Sequence, residues 1–319
     1  MSFCLLADES VEDGIKRIVS EEINQAIKEI DSPTLKRSEA IHEVRKHCKK
    51  IRGVLRLVRP QFKETYQFEN AWFRDTAKGL AELRDAEAII ETYDSLLDKF
   101  DDQVERRAFA PIRQALILRR KKLIEETGDL NQKLKKLRAR MDTAARRVAD
   151  WQLKVEEFDG IEGGLVATYR RARNTMAAAC DDPTAENFHE WRKQAKYHGY
   201  HMELLRELWK PVMRSLAKET DELSDLLGDD HNLDVLHKTL LKSPNKYGKK
   251  RDIQVLFGLI DGRSAELRVE AKTIGGKIFA EKTKAFGRRF RIYWDTWRSE
   301  VELPSKKLSE EPAVVTAAA

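Results

Sequence analysis

Ile41-His42-Glu43-Val44-Arg45-Lys46-His47-Cys48-Lys49 and Phe188-His189-Glu190-Trp191-Arg192-Lys193-Gln194-Ala195-Lys196 share one pattern: apolar-His-Glu-apolar-Arg-Lys-x-x-Lys. The second copy lies 147 residues after the first (189 − 42). The same offset, without a gap, carries Leu80 onto Leu227, Arg84 onto His231, Glu87 onto Asp234, Ile89 onto Leu236 and Gly128 onto Gly275. A register sustained over that span predicts an internal duplication, which decides the architecture before any single element is placed.

On a helix turning about 100° per residue, His42, Arg45, Lys46, Lys49, Arg52 and Arg56 fall on one arc of roughly 120°. Ile41, Val44, Cys48, Ile51, Leu55 and Val58 fall opposite. This is an amphipathic helix whose polar face carries a single sign of charge. In the second copy the arc holds His189, Arg192, Lys193, Lys196 and Tyr200, backed by Phe188, Trp191, Ala195, Met202 and Leu205. Ordinary solvated helix faces mix signs at i,i+4 spacing. Like charges at i+3, i+4 and i+7 repel unless an anion relieves them.

The 319 residues suggest two domains by length. Apolar residues make up 41%, enough for real cores, and the 36% that are charged exceed the usual quarter. Glycine and proline are scarce and the apolar period is helical, so the fold class is all-α. A net charge of +6 is modest for a dedicated nucleic-acid binder. The local balance is more pointed: Lys36 to Arg59 holds nine Lys/Arg against Glu39 and Glu43, a clustered positive face that implies an anionic partner. Cys4, Cys48 and Cys180 are odd in number and have no metal or redox spacing, which points to a reducing, cytoplasmic setting. Met1 to Ser10 lacks the basic segment and apolar run of a signal peptide. No run of 18 apolar residues exists, so no membrane partner is expected.

In chain order, a first helix is expected over 10–30, broken by Asp31-Ser32-Pro33, and the motif helix then ends near Pro60. A third helix is expected over 65–100, including Trp72, Leu80, Leu83 and Ile89. Asp101-Asp102 should cap a fourth, closed by Gly128. A fifth should run over 129–158 with the basic run Lys133 to Arg140. Gly160, Gly163 and Gly164 mark the joint between halves. In the second half, a helix over 165–180 precedes the cap Asp181-Asp182-Pro183-Thr184 and the second motif helix. Pro211 opens the next helix, Gly228-Asp229-Asp230 interrupts it and Ser243-Pro244-Asn245 ends it. The last two helices meet at Gly275-Gly276, and the final one holds Arg288, Arg289, Arg291, Trp294 and Trp297. The expected architecture is two helical bundles related by a pseudo-two-fold, over 10–158 and 160–301, with a flexible tail over 302–319.

These residues resemble the CHAD family, the conserved histidine α-helical domain. The likeness rests on His42-x-x-Arg45-Lys46-x-x-Lys49-x-x-Arg52, Leu83-Arg84-Asp85-Ala86-Glu87, Tyr169-Arg170-Arg171, His189-x-x-Arg192-Lys193-x-x-Lys196-Tyr197 and Leu227-Gly228-x-x-x-x-Leu233-Asp234-Val235-Leu236. It spans about residues 12–297. It implies two bundles facing a central basic groove or pore that binds inorganic polyphosphate without catalysis. Granule targeting, regulation of a phosphate enzyme and scaffolding are all compatible with it. No Glu-x-Glu-x-Lys signature of the CYTH domain that often accompanies the family is present. One departure stands out: opposite Tyr169, Arg170, Arg171 and Arg173 the first half has Glu21 and Glu22.

The residues assigned to the polyanion are therefore His42, Arg45, Lys46, Lys49, Arg52 and Arg56 from the first half. The second half supplies Arg170, Arg171, Arg173, His189, Arg192, Lys193, Lys196, Tyr197, Arg288 and Arg289. The histidines are assigned as donors, since an imidazolium offers two N–H groups. A competing reading is a di-iron site, because Glu39-x-x-His42 and Glu186-x-x-His189 match the carboxylate-bundle motif. Against it, Arg and Lys occupy the neighbouring face, and the two motifs fall in different bundles on this reading. A zincin fails because Lys46 and Lys193 stand where the second histidine belongs. RNA or DNA is a weaker alternative, since no basic run is interleaved with aromatics. No Walker loop or nucleophile elbow supports catalysis, and no metal or cofactor is expected.

Overall fold

The computed structural model of the chain describes residues 3–78 and 81–307, the side chains of 64, 81–83 and 301–307 excepted. Among the described residues every regular element is helical: α1 (Val11–Asp31), α2 (Arg37–Leu57), α3 (Arg59–Lys78), α4 (Ala81–Lys99), α5 (Arg106–Thr127), α6 (Leu130–Val148), α7 (Glu157–Asp181), α8 (Ala185–Leu204), α9 (Lys210–Leu241), α10 (Lys250–Ile278) and α11 (Thr283–Lys307). Short 3₁₀ turns precede α9 (Arg206–Trp209) and follow it (Pro244–Lys246). No helix among these residues is long and apolar enough to cross a membrane.

Local chemistry sets many of the ends. Ser10 Oγ accepts from the Asp13 amide to start α1, Asp129 accepts from Asn131 and Gln132 to start α6, and Thr184 accepts from Asn187 to start α8. Pro211 lies in the first turn of α9, where its missing N–H has no intrahelical partner to lose. Gly128 closes α5 at φ 71°, a backbone angle that favours glycine. The predicted apolar stripes of the motif helices are buried throughout, from Ile41 to Val58 and from Phe188 to Leu205.

Several boundaries depart from the sequence reading. The motif helix stops at Leu57, and Pro60 opens α3, which itself breaks at Lys63 (φ 38°, ψ −105°). The single helix expected over 65–100 is divided between α3 and α4. Leu80 lies outside the described residues, as do the Leu83 side chain and the tail beyond 307. Asp101-Asp102 belongs to a turn, and α5 starts after Glu105. The fifth helix ends ten residues early, at Val148. There Trp151 tucks in against Phe62, ring centroids 5.2 Å apart, and Glu12 takes the Leu153 amide at 2.7 Å, so the chain turns back.

Glycines account for the remaining differences. Gly160, Gly163 and Gly164 do not form a linker; they lie inside α7. A Cβ at Gly164 would stand 1.8 Å from the carbonyl oxygen of Leu57, so this glycine lets α7 close onto the end of α2. Gly228-Asp229-Asp230 does not interrupt α9, because buried Asp230 is held by Arg268 at 2.9 Å and stays in the helix. Gly275-Gly276 is likewise interior to α10: Trp191 lies 2.4 Å from where a Gly275 Cβ would be.

Helix neighbours recur in order along the chain. α1 packs on α2 as α7 does on α8; α2 on α3 as α8 on α9; α4 on α5 as α9 on α10; α1 on α6 as α7 on α11. Across the chain, α2 packs on both α7 and α8, and α4 on α9. One apolar core gathers residues of α1–α3, α6–α8, α11 and the start of α9. A smaller one gathers α4, α5, α10 and the end of α9. Each core thus draws on both sides of residues 158–160, and the motif helices, expected in different bundles, are direct neighbours.

Two predictions follow from this packing. Gly164→Ala should destabilise the protein by about 1–3 kcal/mol or more, since the added methyl meets backbone and α7 must move off α2; thermal melting checks it. His198 is wholly enclosed by Tyr169, Phe279 and Phe286, its Nδ1 has no partner, and burial pushes its pKa down to about 3. The unfolded chain therefore takes up a proton first as pH falls below the ordinary 6.5. The stability associated with a neutral His198 is complete above that pH and is lost on the way down toward 3. His198→Phe should recover about 2 kcal/mol in urea titrations at about pH 5 and change far less at neutral pH.

Candidate functional site

Gly53 on α2 and Tyr200 on α8 set the distance between the motif helices. Tyr200 Cδ2 would lie 2.8 Å from a Cβ on Gly53, and His201 Nε2 donates to the Gly53 carbonyl at 3.0 Å. His201 is held down to about pKa 4 by burial, so it is a neutral donor. This crossing brings the polar arcs of α2 and α8 side by side.

The cations are positioned by aromatic faces and neighbouring helices. Arg56 lies over the ring of buried Tyr197 at 3.9 Å, with Arg52 near the same ring at 5.9 Å. Arg52 Nε also donates to Asn70 of α3 at 3.0 Å. Arg59 lies over Tyr66 at 4.8 Å. Arg171 of α7 stands beside Arg56 and Arg59, and the three line a cleft of about 260 Å³ with Lys63, Gly163 and Gly164 among its walls. At the other end, Arg45 approaches Asp85 of α4 at 3.9 Å, and Arg84 Nε donates to His42 Nδ1 at 3.0 Å. Between them Lys49 feels Arg45, Arg192 and Lys196 together. The result is a cationic track from Arg84 and His42 through Arg45, Lys49, Arg192 and Lys196 to Arg52, Arg56, Arg59 and Arg171.

Arg84 is ion-paired to Glu91 at 3.0 Å, but Arg45, Arg56, Arg192 and Lys196 are poorly compensated. Arg45 Nη1 and Arg56 Nε are buried without a hydrogen-bond partner. Arg192, half-buried, makes no hydrogen bond or ion pair among the described residues; Asp225 and Asp229 only face it. Lys196 reaches Asp221 at a loose 3.7 Å. Burial pushes the pKa values of Arg45, Arg52, Arg171 and Arg192 down, although guanidinium groups remain charged. Elsewhere the protein pairs its arginines closely, as in the two-pronged Arg147–Glu69 contact at 2.7 and 2.8 Å. An unpaired buried donor costs about 1–3 kcal/mol. Two guanidinium nitrogens of the track, on Arg45 and Arg56, thus have no acceptor among the described residues.

The histidines play a different part from the one assigned by sequence. His42 accepts a hydrogen bond from Arg84, and burial and the Arg84 charge lower its pKa. It is neutral, leaving one N–H to offer rather than the two of an imidazolium. His189 is lowered by burial and by Arg192 and Lys193, and its ring lies 4.3 Å from His231, itself pushed down to about 4. His42–Arg84 and His189–His231 are pairs related by the 147-residue offset. Lys46–Glu43 at 3.1 Å and Lys193–Glu190 at 2.5 Å are another such pair. Among the described residues, the side chains of Glu39, His42, Glu186 and His189 do not come together as a group that could hold a metal.

Other assigned residues stand apart from the track. Lys46 and Lys193 are exposed and already paired. Arg170 is exposed next to Arg171, and Arg173 lies near the Tyr169 hydroxyl. Arg288 and Arg289 line a separate, larger hollow of about 490 Å³ on α11, and Arg289 is ion-paired to Glu281 at 2.8 Å. Arg56 of the smaller cleft and Arg45 farther along α2 carry buried guanidinium nitrogens without a hydrogen-bond partner. Glu22, opposite Tyr169 in the repeat, is buried against His47, so α1 adds no cation at that position. Sequence reasoning passed over Arg59 and Arg84 as site residues. Arg59 continues the Arg52, Arg56 spacing, and Arg84 sits inside a quoted motif, so both signals were present.

Lys49 is pushed down to about 8 by crowding from surrounding protein and by the charges of Arg192, Arg45 and Lys196, yet its side chain remains accessible. A lowered pKa means a larger neutral, nucleophilic fraction at neutral pH. An amine-acylating reagent should therefore modify Lys49 ahead of Lys46 and Lys193, as read by peptide mass spectrometry. A bound polyanion should suppress that reaction by restoring the charge.

Comparison with known proteins gives two findings. A family model described as the CHAD domain matches residues 17–241. The crystal structure of the CHAD domain from the plant Ricinus communis superposes with a TM-score of 0.60 at 15% sequence identity, covering 89% of this chain and 96% of that one. At that identity the likeness speaks to the fold. No curated protein matches by sequence.

Proposed function

The chain belongs to the CHAD family, and we propose that it binds inorganic polyphosphate, without chemical conversion, along the track formed by α2, α8 and the adjoining faces of α4 and α7. The observation that carries this reading is the row of half-buried guanidiniums with unpaired donors, Arg45, Arg56 and Arg192, around the crowded Lys49. A linear polyanion carries roughly one negative charge per phosphate and no bases, so it can supply acceptors at each donor in turn. Arginine gives forked donors to phosphate oxygens and lysine gives point charge.

The same reading treats the two halves as products of duplication, each giving one motif helix to a shared groove. The recurrent helix neighbours and the paired contacts at the 147-residue offset support it. Single-stranded nucleic acid fits less well. Tyr197 and Tyr66 are buried under Arg56 and Arg59, so neither ring offers a free face on which a base can stack.

The test is a titration of long-chain polyphosphate against mixed-sequence RNA at equal phosphate concentration and two salt concentrations. Polyphosphate should win at physiological salt, and its affinity should fall steeply with salt as counterions are released. Equal or tighter RNA binding sinks the reading. Arg45→Gln with Lys49→Gln, and separately Arg192→Gln with Lys196→Gln, should each weaken binding at least tenfold, since each charge-assisted bond contributes about 1.5–3 kcal/mol. Neutral replacements avoid placing new acids beside Asp85, Asp225 and Asp229. Calorimetry reads the affinity and circular dichroism controls for folding. If either pair binds as wild type does, the two helices do not share a ligand.

A further inference from the structure

On another edge of α2, turned toward α1, His47 is nearly enclosed, its side chain 7% exposed. Its Nδ1 lies 2.5 Å from Glu22 and its Nε2 lies 3.1 Å from Glu29, both on α1. Glu43 stands one turn earlier on α2. One ligand atom each from Glu29, Glu43 and His47 lies within 4.8 Å of the others. We infer that Glu29, Glu43 and the Nε2 of His47 form a binding site for a divalent transition metal of the zinc class.

The geometry argues for this in three ways. The 3.1 Å between His47 Nε2 and Glu29 is close to the edge of a tetrahedron with Zn–N and Zn–O bonds of about 2.0–2.1 Å, which is about 3.3 Å. Glu22 on the far nitrogen gives the carboxylate–histidine arrangement that orients a metal-bound imidazole. Lys50 holds the other oxygen of Glu22 at 2.9 Å. Among the described residues Glu43 is paired only with Lys46, whose side chain is 54% exposed and free to swing away.

Charge points the same way. Glu22 and Glu29 are largely buried and Glu43 is about two-thirds covered, and Lys50 lies against Glu22 alone. A divalent ion at Nε2, with the Nδ1–H kept on Glu22, would offset that negative charge. A single histidine with carboxylates suits zinc better than a purely oxygen-seeking ion. The site differs from the Glu-x-x-His motifs weighed in the sequence, and it would clamp α1 to α2 on an edge of α2 away from the track.

The experiment is equilibrium dialysis of the full chain, stripped with chelator, against Zn²⁺ and separately Mn²⁺ at neutral pH. One Zn²⁺ per chain should bind more tightly than Mn²⁺. It should persist in Cys180→Ser and be lost in Glu43→Gln, a partly exposed position that leaves the core intact. Glu22→Gln should weaken binding about 10–100-fold. Co²⁺ in the same site should show d–d bands without a thiolate charge-transfer band, and Zn²⁺ should raise the melting temperature of wild type but not of Glu43→Gln. The inference is overturned if Zn²⁺ binds no better than to Glu43→Gln, if binding vanishes in Cys180→Ser, if the cobalt spectrum reports thiolate, or if Mn²⁺ binds more tightly.

Discussion

The contact of α8 with Gly53 is the constraint on which the site depends. Tyr200 lies against that glycine and His201 donates to its carbonyl, so two helices with like-charged faces are held at a separation electrostatics alone would oppose. Apolar burial supplies the opposing force: the stripes from Ile41 to Val58 and from Phe188 to Leu205 are enclosed in one core. Gly164, set against the Leu57 carbonyl, brings in α7 and with it Arg171. The smallest residues thus sit where the largest charges must converge.

The electrostatic consequences are uneven along the chain. Several arginines away from the track are closely compensated: Arg147 by Glu69, Arg268 by Asp230 and Arg289 by Glu281. Around Arg45, Lys196 and Arg192 the acids stand back at 3.7–3.9 Å or only face the cations, while buried Arg45 and Arg56 donors have no acceptor. Cation–ring contacts with Tyr197 and Tyr66 hold these guanidiniums without consuming their N–H groups. The neutral histidines fit the same logic, because an imidazolium at His42 would add one more positive charge beside Arg84.

Much of this was legible in the chain. The doubled motif put Arg45, Lys49, Arg192 and Lys196 on one face of each helix, and the apolar positions opposite them proved to be core. Where the reading of boundaries failed, it did so mostly at glycines. Gly160, Gly163 and Gly164 look like a linker, and Gly228 and Gly275 look like breaks, because a glycine required for flexibility and one required for close approach are spelled the same way. Only the partner across the contact tells them apart: the Leu57 carbonyl for Gly164, Trp191 for Gly275. The early end of α6 has the same origin, since Trp151 and Glu12 turn the chain through contacts far away in sequence.

What the sequence by itself determined is what is periodic and local: an all-helical chain, repeated motif helices, their buried and charged faces, and caps such as Ser10, Asp129 and Thr184. What only the tertiary structure decided is which surfaces meet. It placed α2 against α8, gave both cores to segments from either side of residues 158–160, left Arg288 and Arg289 in a hollow of their own, and recruited Arg59 and Arg84. It also gathered Glu22 and Glu29 of α1 with Glu43 of α2, residues far apart in the chain, around the imidazole of His47. The physical reason is that helix formation answers to neighbours within a turn or two, whereas pairing, burial and protonation answer to groups the chain brings close only after it has folded.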